Sequence, residues 1–136
     1  MRRLIAILIA TIVVAGACGG SRESEPTEQP TLSVALTDFA IAADPGTVKA
    51  GRVVFAIRNR AAMTHELIVI RTDLAPDALP IEGGKAKEDG KVGGVANIAA
   101  GVSRKLTLDL TPGRYVLICN VPGHYQLGMR VALTVE

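Results

Sequence analysis

From Thr31 onward, hydrophobic and polar positions alternate with a period of two in short runs. Thr31–Leu36 places Leu32, Val34 and Leu36 on one side. Arg52–Arg58 sets Val53, Phe55 and Ile57 against Arg52, Val54, Ala56 and Arg58, and Leu106, Leu108 and Leu110 alternate with Lys105, Thr107 and Asp109. This spacing predicts half-buried strands. His65–Ile70 is mostly apolar and reads as a strand in the middle of a sandwich. Arg114–Cys119 and Arg130–Val135 supply two more. The runs are punctuated by Asp44-Pro45-Gly46, Ala50-Gly51, Ala100-Gly101 and Thr111-Pro112-Gly113, all turn-forming sequences. About seven short strands in one domain-sized stretch favour an all-β antiparallel sandwich. The segment 75–94, rich in Gly and Pro with mixed charge, reads as a long surface excursion with room for a short helical turn, and not as a second domain. Phe39, Phe55, Tyr115 and Tyr125 are the aromatic residues, so aliphatic packing must supply most of the core.

The N-terminal part has a different pattern. Arg2 and Arg3 precede fourteen uncharged residues, Leu4 to Ala17. A helix of that length reaches roughly 21 Å, short of a bilayer core of roughly 30 Å, so residues 1–17 are expected to be an export signal. The signal predicts export to the periplasm or cell exterior. Val14-Ala15-Gly16-Ala17-Cys18 resembles the bacterial lipobox, although Ala15 stands where leucine is usual. Lipidation of Cys18 is the expected outcome, with ordinary cleavage or an uncleaved anchor as alternatives. The Arg pair lacks the rest of a twin-arginine signal. Residues 18–30 then form the expected lipid-anchored N-terminus and flexible linker. Gly19–Pro30 contains no large apolar residue and carries one Arg against three Glu. The domain itself spans 31–136.

Charge narrows the partners. The chain carries fifteen Lys and Arg against thirteen Asp and Glu, a net +2. No basic stripe is present, which argues against nucleic acid as a partner.

The candidate chemistry is concentrated in Cys119-Asn120-Val121-Pro122-Gly123-His124-Tyr125-Gln126-Leu127-Gly128-Met129. It sets a thiol, an imidazole and a thioether at C-x4-H-x4-M spacing. The chain has two histidines, and the other is His65. If Cys18 is acylated, Cys119 is the lone thiol of an exported domain. Metal ligation is one way to preserve such a thiol, and burial as an inert core residue is the other. Thiolate, two imidazoles and a thioether form a soft, mixed donor set suited to copper. Structural zinc takes four strong N or S ligands, among which Met is a poor one. A second thiol and a C-x-x-C-H motif are both missing from the domain, which sets aside iron–sulfur and c-type haem. Pro122-Gly123 can turn the chain so that His124 faces back toward the sulfur. Gly128 can bring Met129 to the start of the last strand, and His65 begins an earlier strand.

Gly113 to Met129 resembles the C-terminal signature of the cupredoxins, the plastocyanin/azurin superfamily of small blue copper proteins. Its C-x-x-P-G-H core is similar to that of azurins, auracyanins, rusticyanin and sulfocyanins. The resemblance implies a Greek-key antiparallel β-sandwich of about seven to eight strands. It also implies one copper per domain cycling between Cu(I) and Cu(II), held by His65, Cys119 and His124 with Met129 as a weak axial ligand. The amides of Glu66 and Val121 would donate to the Cys119 sulfur. Family members often carry Asn, Asp or Ser after the first histidine and Thr or Ser after the cysteine. Glu66 and Asn120 stand there instead, so the brace between the ligand segments is expected to differ.

The implied activity is one-electron transfer by a monomer that is not itself an enzyme. Its expected partner is a redox protein such as a cytochrome, another copper protein, an oxidase or a reductase. His124 would be the electron port, within an apolar rim of Val121, Pro122, Tyr125 and Leu127. Met63 reads as packing or rim, Tyr115 as core, and Glu66 and Glu88 as solvated surface. The alternatives are a copper-binding module for storage, delivery or resistance, and a metal-free adhesive or receptor-like sandwich.

Overall fold

A computed structural model describes residues 29–136. The expectations for residues 1–17, for Cys18 and for most of the linker lie outside the described residues. Two sheets form the domain. One contains β1 (Leu32–Thr37), β2 (Ala40–Asp44), β4 (Gly51–Asn59) and β9 (Ser103–Leu110) in the order β2-β1-β4-β9. The other contains β3 (Thr47–Val48), β5 (His65–Arg71), β8 (Lys91–Ile98), β10 (Gly113–Ile118) and β11 (Arg130–Val135) in the order β3-β11-β10-β5-β8. A small hairpin, β6 (Ile81–Glu82) with β7 (Lys85–Ala86), and one short helix, α1 (His124–Leu127), complete the described elements.

The all-β sandwich, mostly antiparallel, is as expected, and the structure adds detail on strand number and direction. Nine strands form the two main sheets, and two of their pairings are parallel: β1 with β4, and β3 with β11. The parallel pairs arise where the chain leaves one sheet, adds a strand to the other, and returns. The strands β2 and β3 escaped the sequence reading for a physical reason. In β2, Ile41 is the one large buried side chain among alanines, and β3 is two residues long, too short to establish a period.

Between the sheets lies the main core. Leu32, Val34, Leu36, Val53, Phe55 and Ile57 meet Leu67, Val69, Tyr115, Leu117, Leu133 and Val135, with Cys119 and Met129 in the same cluster. Tyr115 is core, as expected, and its hydroxyl donates to the Thr111 carbonyl at 2.8 Å. Leu106 and Leu108 are half-buried, because β9 is an edge strand.

A second cluster explains why β5 reads as a continuous apolar run. Ile68, Ile70, Val116 and Ile118 point away from the main core, yet they are buried beneath Leu79, Ala86 and Tyr125. The segment 75–90 is a surface excursion, as expected, with most residues exposed, but Leu79 and Ala86 are buried. They make it a strap across the outer face of the five-stranded sheet, containing the β6–β7 hairpin and a turn closed by the Ala78 amide on the Ala75 carbonyl at 2.9 Å. Residues 91–94, assigned above to the excursion, belong to β8. Gly94 is pressed so close that a Cβ would lie 2.6 Å from the Leu67 carbonyl oxygen.

Candidate metal centre

The strand pairing brings the predicted donors to one end of the sandwich. Because β5 runs antiparallel to β10, the start of β5 at His65 lies beside the end of β10, where Cys119 follows. The Cys119 amide donates to the Met129 carbonyl at 3.1 Å and so extends the β10–β11 ladder past the loop between them. Within that loop Gly123 has φ +83° and Gly128 φ +118°, left-handed conformations that glycine adopts without steric cost. They bracket α1, whose first residue is His124.

Three donor atoms converge. His65 Nδ1 and His124 Nδ1 are 3.1 Å apart, and Cys119 Sγ lies 3.7 Å from the first and 3.6 Å from the second. A point equidistant from the three lies about 2.0 Å from each, close to the roughly 2.0–2.1 Å of a zinc–imidazole bond. The donor set therefore fits a single metal ion of that size. His65, Cys119 and His124 are all buried. Met129 is fully buried beside them, and its amide donates to the His124 carbonyl at 3.1 Å.

Without a counter-charge, burial favours the Cys119 thiol over the thiolate. Burial pushes the Cys119 thiol above its ordinary value of 9.0, opposed by the backbone N–H groups of Glu66 and Val121. The Glu66 amide lies 3.5 Å from the sulfur, so both expected amide donors are in place. Burial, and then the neighbouring His65, hold His124 below its ordinary 6.5, which favours the neutral imidazole that ligates metals. A metal ion bound here would take the place of the thiol proton and supply the positive charge that offsets the desolvation of the thiolate.

The surroundings contain residues that the sequence reading missed. Asp38 Oδ1 accepts from His65 Nε2 at 2.9 Å. Phe39 stands nearly perpendicular to both histidine rings, with centroids 5.0 Å from His124 and 6.4 Å from His65. Asn59 is fully buried and ties the approach to His65, donating to the Met63 and Ile98 carbonyls at 2.7 and 2.8 Å and accepting from the Ala61 amide at 2.9 Å. Between His65 and Leu67 the pairing with β8 slips by one residue, a bulge with Asn97 at φ +54°. Bulges re-aim side chains in this way.

The expected difference in the loop brace is also visible. Asn120 turns away from the metal centre and binds the strap through Ala86 and Glu88. Two side-chain expectations are corrected. Tyr125 is not part of an exposed rim; it is buried, donating to the Pro76 carbonyl and accepting from the Leu79 amide. Glu88 is half-buried and bonded to Asn120 and Lys91, not simply solvated. The rest of the predicted rim stands: Pro122 and Leu127 are exposed and Val121 is half-buried, with Met63 exposed nearby in sequence to His65.

Comparison with known proteins agrees with this geometry. Residues 31–136 match the family model for copper binding proteins of the plastocyanin/azurin family. Reduced auracyanin from Roseiflexus castenholzii superposes with a TM-score of 0.58 at 22% identity, covering 76% of this chain and 94% of that one. Rusticyanin from Thiobacillus ferrooxidans gives 0.58 at 18% identity, covering 80% and 79%. Auracyanin A from Chloroflexus aurantiacus gives 0.51 at 20% identity, covering 76% and 98%. A sequence search of curated proteins finds no match.

Proposed function

The chain belongs to the plastocyanin/azurin family of copper-binding proteins, and on that premise we propose that it is a type 1 copper electron carrier working outside the cytoplasmic membrane. His65, Cys119 and His124 would hold the ion, with Met129 as a further, weaker donor. The observation that carries this reading is the buried triangle of two Nδ1 atoms and one Sγ. When bound, copper supplies a one-electron couple between Cu(I) and Cu(II). The protein's part is to keep its donors still. Cys119 and Met129 are locked by the strand ladder, His65 by Asn59 and the bulge, and His124 by the two glycines. A donor set that does not rearrange between oxidation states lowers the reorganisation cost of electron transfer.

His124 is the exit for the electron, since exposed Pro122 and Leu127 flank it in the chain. This apolar rim suits brief docking by a redox protein such as a cytochrome, oxidase or reductase. The protein acts as a monomer, exported by residues 1–17 and anchored through lipid at Cys18. Among the described residues, no helix is long and apolar enough to cross a membrane. Auracyanin A, one of the structural neighbours, is itself described as a "blue" copper protein.

The test is the optical and EPR spectrum of the purified protein after copper loading. An electron carrier shows an intense visible thiolate-to-Cu(II) band and reversible one-electron redox, both lost in Cys119→Ser. Colourless, readily exchanged copper would instead indicate storage or delivery. Failure to take up copper would sink the metal assignment. Mass spectrometry of the mature N-terminus tests the anchor at Cys18.

A further inference from the structure

We propose that Asp38 is a positioning residue for the copper centre: its carboxylate holds His65 in the ligating tautomer and biases the bound ion toward Cu(II). The inference rests on the copper reading above.

Asp38 sits in the two-residue turn between β1 and β2, remote in sequence from all four proposed ligands. Both its oxygens are engaged. Oδ1 accepts from His65 Nε2 at 2.9 Å, and Oδ2 accepts from the Ala62 amide at 3.1 Å, in the loop that leads to His65. The His65 side chain is 0% exposed, so its ring cannot turn to find another partner in water. An ionised carboxylate only accepts, so the hydrogen on His65 must be on Nε2. Nδ1 then presents its lone pair to Cys119 and His124. The network therefore prepares His65 as a ligand through Nδ1.

The electronic consequence follows from the same bond. A carboxylate accepting from the far nitrogen of a ligating imidazole raises the basicity of the near one. That stabilises the more highly charged Cu(II) over Cu(I) and so lowers the reduction potential. Asp38 is also partly open to solvent, with its side chain 30% exposed. Screening limits its effect without abolishing it.

The test uses the full chain and three variants. Asp38→Asn removes the charge and keeps one acceptor oxygen for His65 Nε2, giving up the bond to the Ala62 amide; Asp38→Ala removes both bonds. Asp109→Asn, at the far end of β9 where it pairs with Arg52 near the start of β4, controls for net charge. In the metal-free protein, nitrogen-15 NMR should find His65 as the Nε2–H tautomer, with Nδ1–H appearing in Asp38→Ala. In the copper-loaded protein, Asp38→Asn should keep the visible band while shifting the Cu(I):Cu(II) equilibrium about tenfold toward Cu(I), or about 59 mV upward. Asp109→Asn should leave the potential unchanged. The proposal is overturned if the His65 tautomer ignores Asp38→Ala, or if Asp38→Asn and Asp109→Asn have the same potential. A wild-type protein that takes up no copper would sink the copper reading instead, while the tautomer measurement would still judge Asp38.

Discussion

The side-chain amide of Asn120 pairs with the backbone of Ala86 as one strand pairs with another. Its Oδ1 accepts from the Ala86 amide at 2.8 Å, and its Nδ2 donates to the Ala86 carbonyl at 2.9 Å. The residue directly after Cys119 thereby fastens the ligand loop to a strap more than thirty residues earlier in the chain. Gly84 adds to the seam, its carbonyl accepting from the Gly123 amide and from Gln126 Nε2. The metal centre is held from outside the sandwich as well as from its core.

Asn120→Ala should therefore cost stability and order together. It strands two buried backbone groups, each worth about 1–3 kcal/mol when left unsatisfied. Denaturant unfolding should show a loss in that range, and the copper EPR spectrum should broaden as the loop samples more than one geometry. An unchanged midpoint with an unchanged spectrum would refute the clamp.

Tyr125→Phe separates the strap from the metal. The hydroxyl bridges the Leu79 amide and the Pro76 carbonyl, and the ring fills the outer cluster. Removing the oxygen should lower stability by about 1–3 kcal/mol. The visible copper band should stay at full intensity, because the ring still packs and no ligand changes. Loss of the band would show that the strap governs ligation more directly than its contacts imply.

Acid stability should depend on Glu88. Its hydrogen bond with Lys91, and then that with Asn120, hold its carboxyl below the usual 4.5. A carboxyl depressed on folding stabilises the native state above its unfolded value, and that stabilisation disappears as pH falls through the folded value. Glu88→Gln should thus be less stable than wild type by a constant amount at neutral pH. The gap should close in acid below the ordinary glutamate range. Unfolding midpoints measured from pH 7 downward give the comparison; a gap that widens in acid has the wrong sign.

Gly94→Ala should destabilise by about 1–3 kcal/mol, the usual cost of overpacking. Its Cβ would meet the Leu67 carbonyl oxygen at 2.6 Å, a backbone atom that cannot swing aside. Thermal unfolding is the measurement. Gly83→Ala provides the contrast of a glycine with open space around it, where the strain of φ +59° is the one cost.

Copper itself should stabilise the fold through the site. A ligand present at a hundred times its Kd adds about 2.7 kcal/mol. Calorimetry with and without copper should show the shift in wild type and not in Cys119→Ser, and a chelator should reverse it.

The chain by itself determined its β character and its donor set. Period-two runs such as Arg52–Arg58 dictate which side of a strand is buried, and that is a local property. Cys119, His124 and Met129 lie within eleven residues, and His65 is the other histidine. Donor types and their spacing need no tertiary context to be recognised. Only the folded structure decided what surrounds them. Asp38 lies 27 residues before His65, Ala86 lies 34 before Asn120, and Pro76 lies 49 before Tyr125. Each is an ordinary polar or small residue whose meaning comes from what strand pairing sets beside it. The outer face of β5 was ambiguous for the same reason: an apolar run says that both faces are covered, and not which segment covers them. Hydrophobicity and donor chemistry belong to single residues and are written along the chain; hydrogen-bond partnership belongs to pairs, and here the pairs exist only after two sheets have packed.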